Sequence, residues 1–569
     1  MADRNYDKKP PNDRLWVRIL AGALGILMAL GTFVYVFASF ESRADNEVVP
    51  TEQEITVGIA YGNESLPTYT VCGKQGFDIS VSSDTNNYFY FDSSEISAVV
   101  NDNVYKTDKG YESSPDRVTA IGGYHIQISS YSFRIGSDGM GDNPAPIFPG
   151  GSSGGSLDDL GYTYDEVVSK ISDLNDSGIL EQWNSYAYPI FSEDKYFIRV
   201  GNFDTFEKAQ EFGEWLSESL SMVFEISEPK DSSVALVDHT NNKVLIAYFL
   251  NADDKVTLKP KDQISFSDAD QTEYYGYVNF NFANNRFAVS NCLGIEDYVK
   301  CVLPVTVSSD ENVELLKLFS VVLRTKVIYN SKFHNGHGFD VCTGSHCGLY
   351  YGRSYENELT NQAVDMTKGE IITYEDQAIS PVYCLSSGAT TSSCIDVFGK
   401  DVPYLKSVSD ADKSVTEWTL TMSPGDVLEA LTNQGYTQIT SNVSDIEILS
   451  YCEGSEYVSS IIIKDILGNE LTVNGSAAIF KALGCKLPST AFTVGKAGET
   501  VERLVYSGGQ PAKQTLVLDG LYGEFVFVGS GNGNGLGISI RGAIDDTLAG
   551  KTYPEIISKY YYGVVITKL

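Results

Sequence analysis

Apolar and polar residues alternate from Glu54 to Ala60 (EITVGIA), the period of a half-buried strand. Several further strand-like runs, separated by Asn, Asp, Ser and Gly, follow up to about Phe133. From 136 to 159 the chain is Gly, Ser and Pro without hydrophobic periodicity, which predicts a loop or linker. An internal repeat spans that loop, because YHIQISSY at 124–131 is echoed by YFIRVGNF at 196–203. Each copy leads to a capped amphipathic pattern, one opening at Thr163 and the other at Thr205, so each reads as a strand followed by a helix. Closing strands at 185–191 and 222–226 complete a βαββαβ unit, with the Gly/Ser stretch inserted in its first strand-helix connection. Farther on, apolar positions recurring at three and four predict a helix from about Val313 to Asn330, with Leu315, Leu316, Phe319, Val322 and Leu323 turned to a core.

One apolar run is too long for either pattern. Residues 19–40 contain no charge, and as a helix they span roughly 33 Å, enough for a bilayer core. Arg4, Lys8, Lys9, Arg14 and Arg18 precede the run and Glu41, Asp45 and Glu47 follow it. The positive-inside bias therefore sets the tail in the cytoplasm and the bulk of the chain outside the cell membrane. The run exceeds a signal-peptide h-region and no clear small-residue cleavage site follows, which favours a retained single-pass anchor over a cleaved leader. The expected organisation is a cytoplasmic tail (1–18), a transmembrane helix (19–40), a stalk and β-rich segment (41–117), a βαββαβ domain (118–229) with the loop 136–159, and a carboxyl-terminal domain (231–569). The fold class expected is α+β, β-rich and multidomain.

Charge narrows the partners. Lys and Arg number 41 against 75 Asp and Glu, a formal charge of −34, which argues against nucleic acid or an anionic membrane surface, since both require phosphate to be neutralised by cations. Neutral glycans or other proteins fit better. The nine cysteines are too sparse for a disulfide scaffold, and their odd number leaves at least one thiol outside any intramolecular pair.

The βαββαβ pattern, with a strand ending in Gly201-Asn202-Phe203 before a helix opened by Thr205, Glu207 and Ala209, resembles the SPOR domain, a module that binds septal peptidoglycan glycan strands. The resemblance implies glycan contact through Arg199 and Asn202 on the third strand. A generic two-layer α/β domain is the plain alternative.

The carboxyl-terminal half carries a longer set of ordered matches. These are NCLGIEDYVK at 291–300, VLP at 302–304, the helix near 313–330, GFDVCTGSHC at 338–347, KGEIITY at 368–374, SSG at 386–388, the alternating Gly529, Gly531, Gly533, Gly535 and Gly537, and KTYPEII at 551–557. Together they resemble the stage II sporulation protein D and amidase-enhancer family of bacteria, which implies a mixed α+β domain over roughly 231–569. The resemblance implies partners too: peptidoglycan glycan strands and cell-wall hydrolases.

Family members that cleave peptidoglycan are lytic transglycosylases, and that chemistry needs a carboxylic acid to protonate the leaving oxygen. The acid stands two residues after the proline of the family's Val-Pro-Ser-Glu stretch. Here the stretch reads Leu303-Pro304-Val305-Thr306, so Thr306 occupies the acid's position. Likewise the family's His before the Ser-Ser-Gly turn is Cys384, its Trp and His in the glycine ladder are Asn532 and Asn534, and the Gln after Ser539 is Ile540. The expectation is a degenerate pseudoenzyme or scaffold. The alternative is an active enzyme with its acid relocated to Asp310, Glu311 or Glu314. Alternating glycines leave one side of a strand bare. That pattern suits either a glycan groove, with Gly533, Asn534, Gly535 and Ser539 as contacts, or tight sheet packing.

Cys342, His346 and Cys347 are the strongest metal candidates, and the family motif they match binds zinc in some members. Two thiolates and an imidazole suit tetrahedral Zn²⁺ in a structural site, with a fourth ligand drawn from His337, His334 or Cys384. A Cys342–Cys347 disulfide or two buried thiols is the competing reading, and Cys384 with Cys394 offers a short disulfide loop.

Overall fold

The computed structural model describes residues 54–569, apart from 101–103, 108–109, 114–123, 133–160, 204, 229–232, 252–253, 268–271, 285, 332, 411–415 and 508. The expected anchor at 19–40 and the Gly/Ser stretch at 136–159 lie outside the described residues. Among the described residues no helix is long and apolar enough to cross a membrane.

The architecture is mixed α+β and rich in strands. The expected repeat forms a sheet ordered Ser221–Ser227, Tyr124–Ser132, Lys195–Phe203, Ala187–Ser192, with every neighbour antiparallel. In chain order this is 4-1-3-2, the arrangement a βαββαβ unit adopts when its two halves interleave. The helix Tyr164–Asp176 starts where the sequence placed its cap: Thr163 accepts the Glu166 N–H while Glu166 returns to the Thr163 N–H, closing a capping box. Thr205 caps Phe206–Ser219 in the same way through the Lys208 N–H. Those helices bury Val167, Leu174, Ala209, Phe212 and Leu216 in one core with Ile126, Ile128, Ile198 and Val200. Strand alternation sends His125, Gln127 and Arg199 to the opposite face.

That sheet does not stop at 229. Ala187–Ser192 pairs in parallel with Val244–Phe249, and the sheet continues through Ser233–Asp238, Glu95–Val100, Thr68–Cys72 and Ile264–Phe266 to Glu273–Tyr274, ten strands in all. A second, seven-stranded sheet runs Val341–Cys342, Glu54–Ala60, Arg286–Gly294, Tyr277–Ala283, Val256–Pro260, Phe77–Val81, Asp84–Phe91. Strands from 54–100, the β-rich part of the segment expected at 41–117, are thus interleaved with strands from 233–294 in both sheets.

Arg286–Gly294 feeds directly into the helix Ile295–Thr306, followed by the helix Val313–Asn330. The latter is buried nearly all round, including Ser320, Arg324, Thr325 and Lys326, as expected of a helix at the centre of a domain. Its buried guanidinium at Arg324 donates to both carboxylate oxygens of Glu296, at 2.9 and 2.6 Å, and to the Glu370 carbonyl at 3.1 Å. The last strand, Val565–Lys568, returns to pair with Glu370–Tyr374. Between 417 and 530 three smaller sheets and two helices form an excursion, and its outer strands Glu417–Met422 and Phe525–Ser530 pair with each other.

Candidate metal centre and candidate catalytic region

The strand pairing Gly58↔Cys342 holds the start of the metal motif against Glu54–Ala60. Asp340 reinforces it by accepting the Thr56 N–H at 2.9 Å. A tight turn then brings the motif back on itself, with the Cys347 N–H donating to the Gly344 carbonyl and the Gly344 N–H pointing at Cys342 Sγ, 3.3 Å away. His334, Cys342, His346 and Cys347 converge so that their ligand atoms all lie within 4.8 Å of one another. His334 Nε2 is 3.1 Å from His346 Nε2, Cys342 Sγ is 3.2 Å from His346 Nε2, and Cys347 Sγ is 3.4 Å from His334 Nε2. Tetrahedral bonds of ~2.3 Å to sulfur and ~2.0 Å to nitrogen set neighbouring ligand atoms about 3.3–3.8 Å apart, so the cluster is close to the size a Zn²⁺ ion requires.

The electrostatics favour a thiolate. A hydrogen bond from Cys347, with His334 and His346 adding to it against the cost of burial, draws the Cys342 thiol down to about 2. Cys347, bonded to that thiolate and buried, is pushed well above its usual value. Beside them the Tyr61 hydroxyl is raised by burial and by Cys342.

The fourth side chain of the cluster is His334. His337 instead stacks on Phe339, with centroids 5.9 Å apart, and sits 5.2 Å from Tyr61; it is not among the four side chains that converge. Cys384 is also elsewhere, in a strand paired with Ile538–Ser539. The nine sulfurs form no disulfide, so neither Cys342–Cys347 nor Cys384–Cys394 is bridged. At Gly348, the residue after the motif, a Cβ would come within 2.8 Å of the buried Tyr298 hydroxyl.

Thr306 ends the helix Ile295–Thr306 and donates its hydroxyl to the Val302 carbonyl at 2.9 Å, one turn back. Of the relocated acids considered, Glu314 is committed. Burial would raise it, but the Lys317 ammonium and the Tyr553 N–H hold its carboxyl below the usual range. Asp310 is exposed and Glu311 half-buried, in the turn between the two helices.

The glycine ladder is not a bare strand face. Gly529 lies in the strand Phe525–Ser530 with Trp418 over it, whereas Gly531, Gly533, Gly535 and Gly537 all take positive φ, from 66° to 114°, before the short strand Ile538–Ser539. A Cβ at Gly533 would lie 2.7 Å from Cys384 Cβ, and one at Gly535 2.3 Å from the Tyr457 ring. Gly533, Asn534, Gly535 and Ser539 are all buried. Asn534 turns its side-chain oxygen to the Leu536 N–H at 3.0 Å, and Ser539 caps the helix Ile540–Leu548 through the Gly542 N–H. These four residues pack the interior, which corrects the expectation of a glycan groove. Arg199 is corrected too: it is 1% exposed, donates to Ser227 Oγ at 2.7 Å and lies over the Phe249 ring. Asn202 stands in the same strand, and its side chain lies outside what is described.

Two carboxylates that carry no local sequence signal fix the Ser386-Ser387-Gly388 turn. Glu456, raised by burial, accepts from the Ala389 N–H at 3.1 Å and from Ser530 Oγ at 2.8 Å. Asp410 accepts from the Ser387 hydroxyl and from the Tyr560 hydroxyl at 2.5 Å. They reach the turn from 410 and from inside the 417–530 excursion, and only the tertiary fold joins them to it.

The helix pair, the metal motif and the strand Glu370–Tyr374 fall within 283–374, the segment matched by the model of the stage II sporulation protein family, SpoIID. In this segment the chain is similar to the SpoIID family. It is 37% identical over 164 residues to an uncharacterized protein of Brachyspira hyodysenteriae, covering 28% of this chain and 45% of that one. It is 30% identical over 156 residues to the amidase enhancer of Bacillus subtilis, covering 27% of this chain and 21% of that one. The chain therefore matches less than half the length of either relative.

Proposed function

We propose that the protein is a membrane-anchored component of the bacterial envelope that holds peptidoglycan glycan strands without cleaving them and works beside cell-wall hydrolases. The family domain and the likeness to an amidase enhancer support a role in the cell wall or in sporulation. The observation that carries the finer reading is Thr306. An aliphatic hydroxyl is many pKa units too weak to protonate a glycosidic oxygen, and this one is engaged with its own helix. The buried Cys384, Asn534 and Ile540 support the same reading, because they stand where the resemblance expects polar pocket residues and serve packing instead. The apolar run 19–40 supports the anchor and the βαββαβ unit supports glycan binding. Because Arg199 is buried, that contact falls to other groups of the unit.

His334, Cys342, His346 and Cys347 would hold a structural zinc ion, whose contribution is to cross-link the motif and the strand Glu54–Ala60 it pairs with. The test of binding is co-sedimentation of the full chain with peptidoglycan stripped of stem peptides. Sedimentation that persists at high salt supports the reading, because binding to the sugars themselves does not rest on pairing with the carboxylates of the stripped strands. A chain that stays in the supernatant while a known glycan binder sediments overturns it.

A further inference from the structure

A cavity of about 560 Å³ opens between the strand Tyr277–Ala283 with its following turn and the loop that leads into the metal motif. Neither Thr306, the glycine ladder nor the four clustered metal donors line it. Its wall carries one cation and one anion, Lys255 and Asp340. Lys255 donates to the Gly338 carbonyl at 2.9 Å. Asp340 uses one oxygen for the Thr56 N–H and hydroxyl, at 2.9 and 2.7 Å. Among the described residues neither joins an ion pair, so opposite charges share one cavity without neutralising each other. Asn281, only 3% exposed, also lines the cavity, and its side-chain oxygen is buried with no hydrogen-bond partner. Gly338, at φ +81°, keeps the space open, because a Cβ there would stand 2.5 Å from Asn281 Nδ2.

Partly buried charges without counter-ions and a buried acceptor without a donor each cost free energy. One kind of ligand repairs all three at once. We propose that this cavity binds a small zwitterion, a free amino acid or the free end of a short peptide, with its carboxylate on Lys255, its ammonium on Asp340 and an N–H on Asn281 Oδ1. A neutral sugar would leave both charges uncompensated, and a phosphate would face Asp340. The volume lies in the range of sites that enclose small organic ligands, roughly 300–1,000 Å³. This proposal is independent of the glycan reading above.

The test is saturation-transfer NMR and calorimetry on the full chain with alanine and alanyl-alanine as probes. N-acetylalanine, which lacks the ammonium, alaninamide, which lacks the carboxylate, and N-acetylglucosamine serve as comparisons. At least one zwitterion should bind, and each blocked analogue should bind at least about tenfold more weakly, the worth of one charge-assisted hydrogen bond. A dipeptide preference of tenfold or more assigns the site to peptide ends, and equal or weaker dipeptide binding assigns it to the free amino acid. Lys255→Met should weaken binding by a similar factor with an unchanged thermal midpoint, while Lys255→Arg keeps it. Asp340→Asn also disturbs Thr56, so the blocked analogues decide the role of the carboxylate. No transfer from either zwitterion at millimolar concentration, equal binding of the blocked analogues, or tighter binding of N-acetylglucosamine overturns the proposal.

Discussion

Gly535→Ala separates a glycine ladder that packs from one that receives a ligand. Gly535 has φ +71°, and the added methyl would sit 2.3 Å from the ring of Tyr457, which is fully buried and donates its hydroxyl to the Ser387 carbonyl at 3.2 Å. Holding an L-residue in left-handed backbone costs about 1–2 kcal/mol, and forcing extra volume into a closed core costs about 1–3 kcal/mol more. The variant should lose about 2–5 kcal/mol. Urea unfolding followed by tryptophan fluorescence reads the loss, because Trp418 packs over Gly529 in the same part of the molecule. With a slope of ~1–3 kcal/mol per molar urea, the midpoint of that transition should fall by about 1 M or more. A variant that unfolds at the parent midpoint yet no longer sediments with glycan strands would refute the packing argument and restore the groove.

Glu296→Gln strands the fully buried Arg324 guanidinium and should cost about 3–5 kcal/mol in the same assay; replacing both residues with apolar ones should recover most of it. His334→Ala should lower bound zinc measured by plasma mass spectrometry, whereas His337→Ala should leave the metal content unchanged; the reverse pattern would return the fourth ligand to His337. His125 is held well below its ordinary value by burial and by Arg199, so the fold binds it neutral while the unfolded chain protonates it below about pH 6.5. That contribution is complete above pH 6.5 and is lost as pH falls, by about 1.4 kcal/mol per unit down to the folded value. His125→Gln should flatten the slope measured by urea titration between pH 6.5 and 5.

Short-range signals predict short-range structure well here. Thr163 and Thr205 sit at the helix starts their side chains predict, and the repeat folds into the expected βαββαβ order, because caps and amphipathic periods depend on neighbours within a turn or two. Cys342, His346 and Cys347 were legible because six positions contain all three. His334 was offered alongside His337 and Cys384, and the choice rested on how the 331–340 loop turns, which no spacing encodes. Arg199 was misread because alternation along a strand tells which residues share a face and not whether that face is covered. The interleaving of 54–100 with 233–294 was equally hidden, since partner choice in a sheet is a long-range property. Glycine at every second position has two physical meanings, a bare strand face or a run of positive-φ turns, and from Gly531 to Gly537 the structure selects the second.

The proposed function turns on Thr306 standing where the SpoIID-like segment would need a proton donor. The direct measurement is product analysis by mass spectrometry after long incubation of the full chain with denuded glycan strands, beside a catalytically competent family member. The account predicts no 1,6-anhydro-sugar products from this chain, and none at the competent rate from Thr306→Glu, because Cys384, Asn534 and Ile540 leave the surroundings unsuited to the reaction and residues that act as a unit are not restored singly. Anhydro products from the unmodified chain that disappear with Asp310→Asn or Glu311→Gln would contradict it and identify a relocated acid.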